Sequence, residues 1–143
     1  MKASFIGIGA AKAGSTWIYL ELKEHPQVLF GKVKEIDFFN EQFPQAYGDV
    51  TSNYSKGITW YHNQLAFKKG MISGEISTTY ISDNLAPKRI HEYNPEVKII
   101  AILRSPVERT CSEYRYVSTG TYVGKNLEEA LKLYPELLTK SLY

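Results

Sequence analysis

The sequence predicts an α/β fold, a P-loop-like parallel sheet flanked by helices. Three observations carry that expectation. Short apolar runs alternate with segments of helical spacing, the pattern of βα units. The runs are apolar throughout, as strands buried on both faces are. The first run feeds a turn, with Gly9 and Gly14, that opens onto a helix.

Taken in order, Ala3 to Ile8 reads as a buried strand and Gly9 to Gly14 as a tight turn. Ser15 to Glu24 reads as a helix, begun near Ser15 or Thr16 and stopped by His25-Pro26. Val28 to Phe30 is a short strand. Gly31 to Gly57 is long and irregular, and such loops inside a compact domain tend to be functional. Ile58 to Lys69 is a helix with Ile58, Tyr61 and Leu65 on one face. Met71 to Glu75 ends another strand. Asp83 or Asn84 caps a helix whose Ala86, Ile90 and Tyr93 share a face, and Asn94-Pro95 ends it. Val97 to Leu103 is the clearest buried strand. Pro106 suits the first turn of the next helix, with Val107, Cys111 and Tyr114 on one face. Asn126 caps a last helix carrying Leu127, Ala130, Leu131 and Tyr134, and Glu129 is placed to complete a capping box.

The 143 residues fit a single domain, 1–143. With 17 Lys and Arg against 15 Asp and Glu, the net charge is +2, which excludes a basic arm for nucleic acid and an acidic solvating tract. Hydrophobic residues at 43% exclude disorder as the default state. A lone cysteine, Cys111, excludes an internal disulfide and a CxxC metal site, and it reads as packing on its helix. His25, His62 and His91 show no ligand spacing, so no metal is assigned. No apolar run approaches a membrane span. Lys2 followed by Ala3 to Ala11 imitates a signal peptide, but Gly7, Gly9 and Lys12 fit a strand and turn better. The expected compartment is the cytoplasm.

Ligands of parallel sheets sit at the carboxyl ends of the strands, and three motifs fall there. Gly9 to Thr16 has the glycine spacing of a P-loop, but Ser15 stands where its lysine belongs and Lys12 lies inside the loop. No apolar strand ends in an aspartate that could hold magnesium, as a metal-dependent NTPase requires. The loop therefore suits a phosphate or sulfate without a metal. Alternatively, its glycines only make a turn and Lys12 is solvated. Arg104 ends the Val97 to Leu103 strand, with Ser112 two turns along the next helix, beside Arg109 and Arg115. Arg104 either holds a second phosphate with that hydroxyl or forms a structural ion pair. In the long loop, Glu35 beside Phe38 and Phe39 is either a general base held near the first strand or half of a surface pair with Lys34.

Together these segments resemble a known family. GAAKAGSTW resembles the 5′-phosphosulfate loop of sulfotransferases that use 3′-phosphoadenosine 5′-phosphosulfate (PAPS), and KIIAILRSPVERTCSEYRY resembles their 3′-phosphate segment. KEIDFFN with YSKGITWY is similar to the heparan-sulfate N- and 3-O-sulfotransferase branch, and GEISTTYI resembles its Gly-Glu strand end. The tail NLEEALKLYPELLTKSLY fits the helices that follow. The resemblance implies that Lys12, Ala13, Gly14, Ser15, Thr16 and Trp17 bind the 5′ end of PAPS, with Lys12 stabilising the leaving oxygen. It implies that Arg104 and Ser112 hold the 3′-phosphate and that Glu35 takes the acceptor proton. The reaction implied is metal-independent, in-line sulfuryl transfer to a hydroxyl or amine of a carbohydrate or small molecule.

Two departures stand out. Gly74-Glu75-Ile76 replaces the branch's Gly-Glu-Lys, and by family length the chain reads as truncated, lacking the C-terminal part of the domain. A non-catalytic remnant that binds PAPS or 3′,5′-ADP, or that oligomerises, is the competing expectation. A P-loop kinase or NTPase is a third, disfavoured by the position of Lys12. A truncated domain would expose apolar surface, so homo-oligomers are also expected.

Overall fold

A computed structural model describes residues 1–41, 52–117 and 126–133. Four strands form one parallel sheet: β1 (Phe5–Gly9), β2 (Val28–Phe30), β3 (Ile72–Ile76) and β4 (Lys98–Ala101). Their spatial order is β2-β3-β1-β4, so the first strand is central. Helices α1 (Ser15–Lys23), α2 (Gly57–Gln64), α3 (Ala86–Tyr93), α4 (Pro106–Val117) and α5 (Leu127–Leu133) accompany it. The predicted parallel α/β sheet is therefore present. Because all four strands run the same way, the segments after β1, β3 and β4 emerge at one edge.

The core lies where the long loop and α2 and α3 meet the sheet. Phe38 stacks on Tyr61 at 4.6 Å, and Phe39 meets Tyr61, Tyr80 and Tyr93 at 5.0–5.8 Å between ring centres. Ile6, Ile36, Ala86 and Ile90 complete it. Phe38 and Phe39 thus anchor the loop that carries Glu35. Tyr93 also ties α3 to the sheet, because its hydroxyl accepts the Ala3 N–H at 2.7 Å. On the other side, Tyr19 of α1 packs on Phe30 of β2 at 4.6 Å.

Asp83 caps the approach to α3 as expected: one carboxylate oxygen accepts the N–H groups of Leu85 and Ala86 at 2.8 and 2.7 Å. Asn126 and Glu129 form the predicted reciprocal capping box on α5. Tyr134 and residues 42–51 of the long loop lie outside the described residues.

Three expectations need correction. The Val97 to Leu103 run is not a buried strand: the strand covers Lys98–Ala101, at the end of the sheet, Ile102 bonds the turn after β1, and Ile99 is 49% exposed. Among the described residues β4 has a neighbour on one side alone, so its apolar side chains are only partly covered. Helix α2 stops at Gln64, because Leu65 turns extended to reach the core while Lys32 donates to the Gln64 carbonyl at 2.9 Å. Ile58 and Val107 are exposed, so neither helix buries the whole stripe read from spacing. Helix α1 begins at Ser15 as expected, and its N-cap is Gly14, in left-handed backbone at φ 103°.

Candidate functional site

The turn after β1 is held from behind. Four successive carbonyls are engaged: Gly9 accepts from Ile102 N–H at 2.7 Å, and Ala10 from Ala13 N–H at 3.4 Å. Ala11 accepts from Arg109 Nε at 2.9 Å, and Lys12 from Arg104 Nη1 at 3.2 Å. With three of these acceptors occupied from the β4–α4 side, the turn hands over to α1 with no side-chain cap at Gly14. The first-turn N–H groups of a helix have no partner within it and carry the positive end of its dipole. A Cβ at Gly14 would meet nothing within 4 Å, so the space beside this helix start is open. Gly14 is required by its φ alone.

Lys12 also has left-handed backbone, at φ 61°, and its ammonium sits 3.9 Å from the centre of the Tyr116 ring on α4. Ser15 is buried, while Thr16 and Trp17 are exposed in the first turn and Ala13 is half-buried. The six loop residues singled out from the sequence are therefore contiguous around one open helix start.

Arg104 joins them. Its guanidinium reaches Lys12 as above and also pairs with Glu108 at 3.3 Å. Of its two alternatives, the structural ion pair is formed, and the guanidinium bonds the loop backbone besides. Ser112 stands half-buried two turns along α4, with no hydrogen bond to Arg104 among the described residues. Sequence reasoning gave Arg109 no role, yet it is the buried clasp of the turn, bonded to Ala11 and to Glu113. The Pro106-x-x-Arg109 spacing, which puts a cation in the first turn of the helix behind the loop, was the available signal.

Glu35 makes the pair with Lys34, one of its two alternatives, and is also held from the end of β3. One carboxylate oxygen accepts the N–H and hydroxyl of Thr78 at 2.6 and 3.2 Å. The Glu35 N–H in turn donates to the Ile76 carbonyl at 3.0 Å, just past β3. Thr78 also backs onto the turn: a Cβ at Gly9 would lie 2.6 Å from the Thr78 carbonyl oxygen. Thr78 thus separates the Glu35 carboxylate from the start of the turn. Ile76 is buried against Gly7, so no cation occupies that position.

Beneath Glu35 lies a network that sequence reasoning missed. Glu75 is 1% exposed and accepts hydrogen bonds from Ser77 at 2.7 Å and from Tyr61 and Tyr80 at 3.0 Å each. Burial pushes its carboxyl up to about 7; the three hydroxyls pull it back, and nearby Asp37 adds to the rise. Asp37 is itself raised, by burial first, against the hydrogen bond from Thr79.

No family model matches the chain. It is 32% identical over 117 residues to the membrane-associated sulfotransferase kil1 of Dictyostelium discoideum, covering 79% of this chain and 22% of that protein. It is 33% identical over 114 residues to the mouse heparan sulfate glucosamine 3-O-sulfotransferase 5, covering 79% and 30% respectively. It is 32% identical over 120 residues to the human bifunctional heparan sulfate N-deacetylase/N-sulfotransferase 3, covering 78% and 13%. The chain thus spans less than a third of the length of these relatives. A sulfotransferase from Alicyclobacillus acidocaldarius has the same fold, with a TM-score of 0.78 at 24% identity over 100% of this chain and 61% of that one. The expected cytoplasmic placement is overturned by these relatives, of which the Dictyostelium protein is membrane-associated. Among the described residues, no helix is long and apolar enough to cross a membrane.

Proposed function

The chain is homologous to heparan sulfate N- and 3-O-sulfotransferases over 78–79% of its length, and on that premise we propose that residues 1–143 bind PAPS and carry the donor half of a sulfuryl-transfer site. The observation that carries this reading is the turn itself. Its carbonyls are engaged, so an uncapped helix start faces open space at Gly14, with the Lys12 ammonium close by on the Tyr116 ring, a setting for an anion.

In this reading the backbone from Ala13 to Trp17, with the Ser15 and Thr16 hydroxyls, holds the 5′-phosphate. Lys12 leaves the Tyr116 ring for the phosphosulfate, and Arg104 and Ser112 take the 3′-phosphate. The acceptor oxygen or nitrogen attacks sulfur as the bond from sulfur to the 5′-phosphate oxygen breaks. Glu35 receives the acceptor proton, and Lys12 neutralises the charge left on 3′,5′-ADP. Positioning and fixed cations supply the catalysis, with no metal required. The acceptor is a carbohydrate hydroxyl or amine. With Ile76 buried at the strand end, an acidic saccharide meets no cation there.

Calorimetric titration with 3′,5′-ADP in EDTA tests the reading. Charge-assisted hydrogen bonds are worth about 1.5–3 kcal/mol, so Lys12→Ala and Arg104→Ala should each weaken binding about tenfold to a hundredfold. Absence of binding to the folded chain would refute it. Binding without transfer from PAPS to any saccharide tested would favour a non-catalytic binding module.

A further inference from the structure

We propose that Glu75 is a positioning residue for the loop that carries Glu35, its carboxylate orienting the two hydroxyls on which the backbone of Asp37 and Phe38 hangs. The significance for catalysis rests on the role proposed for Glu35; the coupling itself does not.

The geometry is a two-armed relay. Ser77 donates to one Glu75 oxygen at 2.7 Å and accepts the Asp37 N–H at 3.1 Å. Tyr80 donates to the other oxygen at 3.0 Å and accepts the N–H of Phe38 at 2.9 Å and of Phe39 at 3.4 Å. Tyr61 of α2 donates to that second oxygen as well, which fixes the carboxylate from behind. An ionised carboxylate can only accept, so all three hydroxyl hydrogens point at Glu75 and the lone pairs of Ser77 and Tyr80 face the loop. A protonated Glu75 must itself donate. The hydroxyl that accepts from it has to turn its own hydrogen elsewhere, and at Ser77 or Tyr80 that is toward a loop N–H that is already a donor. Buried hydroxyls have no water to resolve that conflict.

The groups facing Glu75 are Tyr61 on α2, Ser77 and Tyr80 after β3, Asp37 on the loop and, through its field, Tyr93 on α3. All are neutral or acidic, and the carboxyl titrates near neutrality. The loop's hold therefore tightens as pH rises through about 7. Two residues from Asp37, the Glu35 carboxylate is directed by the same backbone onto Thr78.

The test is amide hydrogen exchange by NMR, corrected for intrinsic rates, from pH 6 to 8.5. In the wild-type chain, protection of the Asp37 and Phe38 amides should rise about tenfold across pH 7, the worth of one hydrogen bond. The Ile102 and Lys32 amides, bonded to Gly9 and Gln64, should not follow. Glu75→Gln should hold Asp37 and Phe38 at the low-pH level throughout while leaving 3′,5′-ADP affinity unchanged. Flat wild-type protection, or equal loosening of all four amides, would overturn the proposal, and the wild-type profile decides the matter even if the variant does not fold. Should Glu35→Gln retain sulfuryl transfer, the role of Glu35 fails while the amide profile still judges Glu75.

Discussion

Replacing Glu75 by glutamine should change how stability responds to pH, by an amount that follows from burial. The Glu75 carboxyl titrates at about 7 in the folded chain against an ordinary 4.5, a difference worth about 3 kcal/mol. The sign follows from linkage. Between pH 4.5 and about 7 the folded state holds a proton that the unfolded chain has released. The contribution is fully present below 4.5 and is lost as pH climbs through about 7. Urea unfolding of wild type and Glu75→Gln, from pH 4.5 to 8, isolates it as a difference. Asp37, raised, acts in the same direction, and His62, lowered by burial, acts in the opposite one. Both are present in both proteins, so their contributions largely cancel. The wild-type advantage should shrink by about 3 kcal/mol across the range. A difference that stayed flat, or grew with pH, would refute the burial argument. Ionising Glu75 thus weakens the fold as a whole while it suits the hydroxyls that hold the loop.

Three further outcomes are expected. Gly9→Ala places a Cβ 2.6 Å from the Thr78 carbonyl at a φ of 122°, so strain and crowding should together cost about 3 kcal/mol or more; an unchanged melting temperature would contradict that contact. Asp83→Ala removes the acceptor for Leu85, Ala86 and Glu41 N–H groups, and chemical denaturation should show a loss of about 1–2 kcal/mol. Glu35→Gln keeps an acceptor for Thr78 N–H, so melting and 3′,5′-ADP affinity should hold while any sulfuryl transfer the chain supports disappears; retained turnover would remove Glu35 from the mechanism.

Much of the fold was legible because local signals and tertiary demands agree. The run from Ala3, the glycine turn and the His25-Pro26 stop define β1 and α1 almost to the residue, and Asp83 and Asn126 cap where their side chains suggest. Two of the misreadings share one cause. VKIIAIL, Ile58 and Val107 are apolar, and apolarity says that a residue can be buried without saying which neighbour covers it. The position of the loop with Lys12 and of Arg104 at neighbouring strand ends was legible from the order of strands and turns. Glu75 was not, because its partners Tyr61 and Tyr80 lie on separate segments that only the fold brings together. Arg109 reads from the sequence as another helix cation, and only the path of the turn makes it a clasp.

The central place of β1 has a consequence in time. Both of its edges are filled by strands made later, β3 and then β4, so the first strand synthesised is the last to be enclosed. At about 5–20 residues per second, the ribosome needs roughly 5–20 s to travel from Phe5 to Lys98. For that interval β1 has at least one open edge, and both are open until β3 is made, a template for pairing with other chains. Gly7 and Gly9 interrupt it, and few-glycine segments are the ones that stack into fibrils. The residues that let the turn pass Thr78 and β1 pack on Ile76 thus also protect the chain while it is being made.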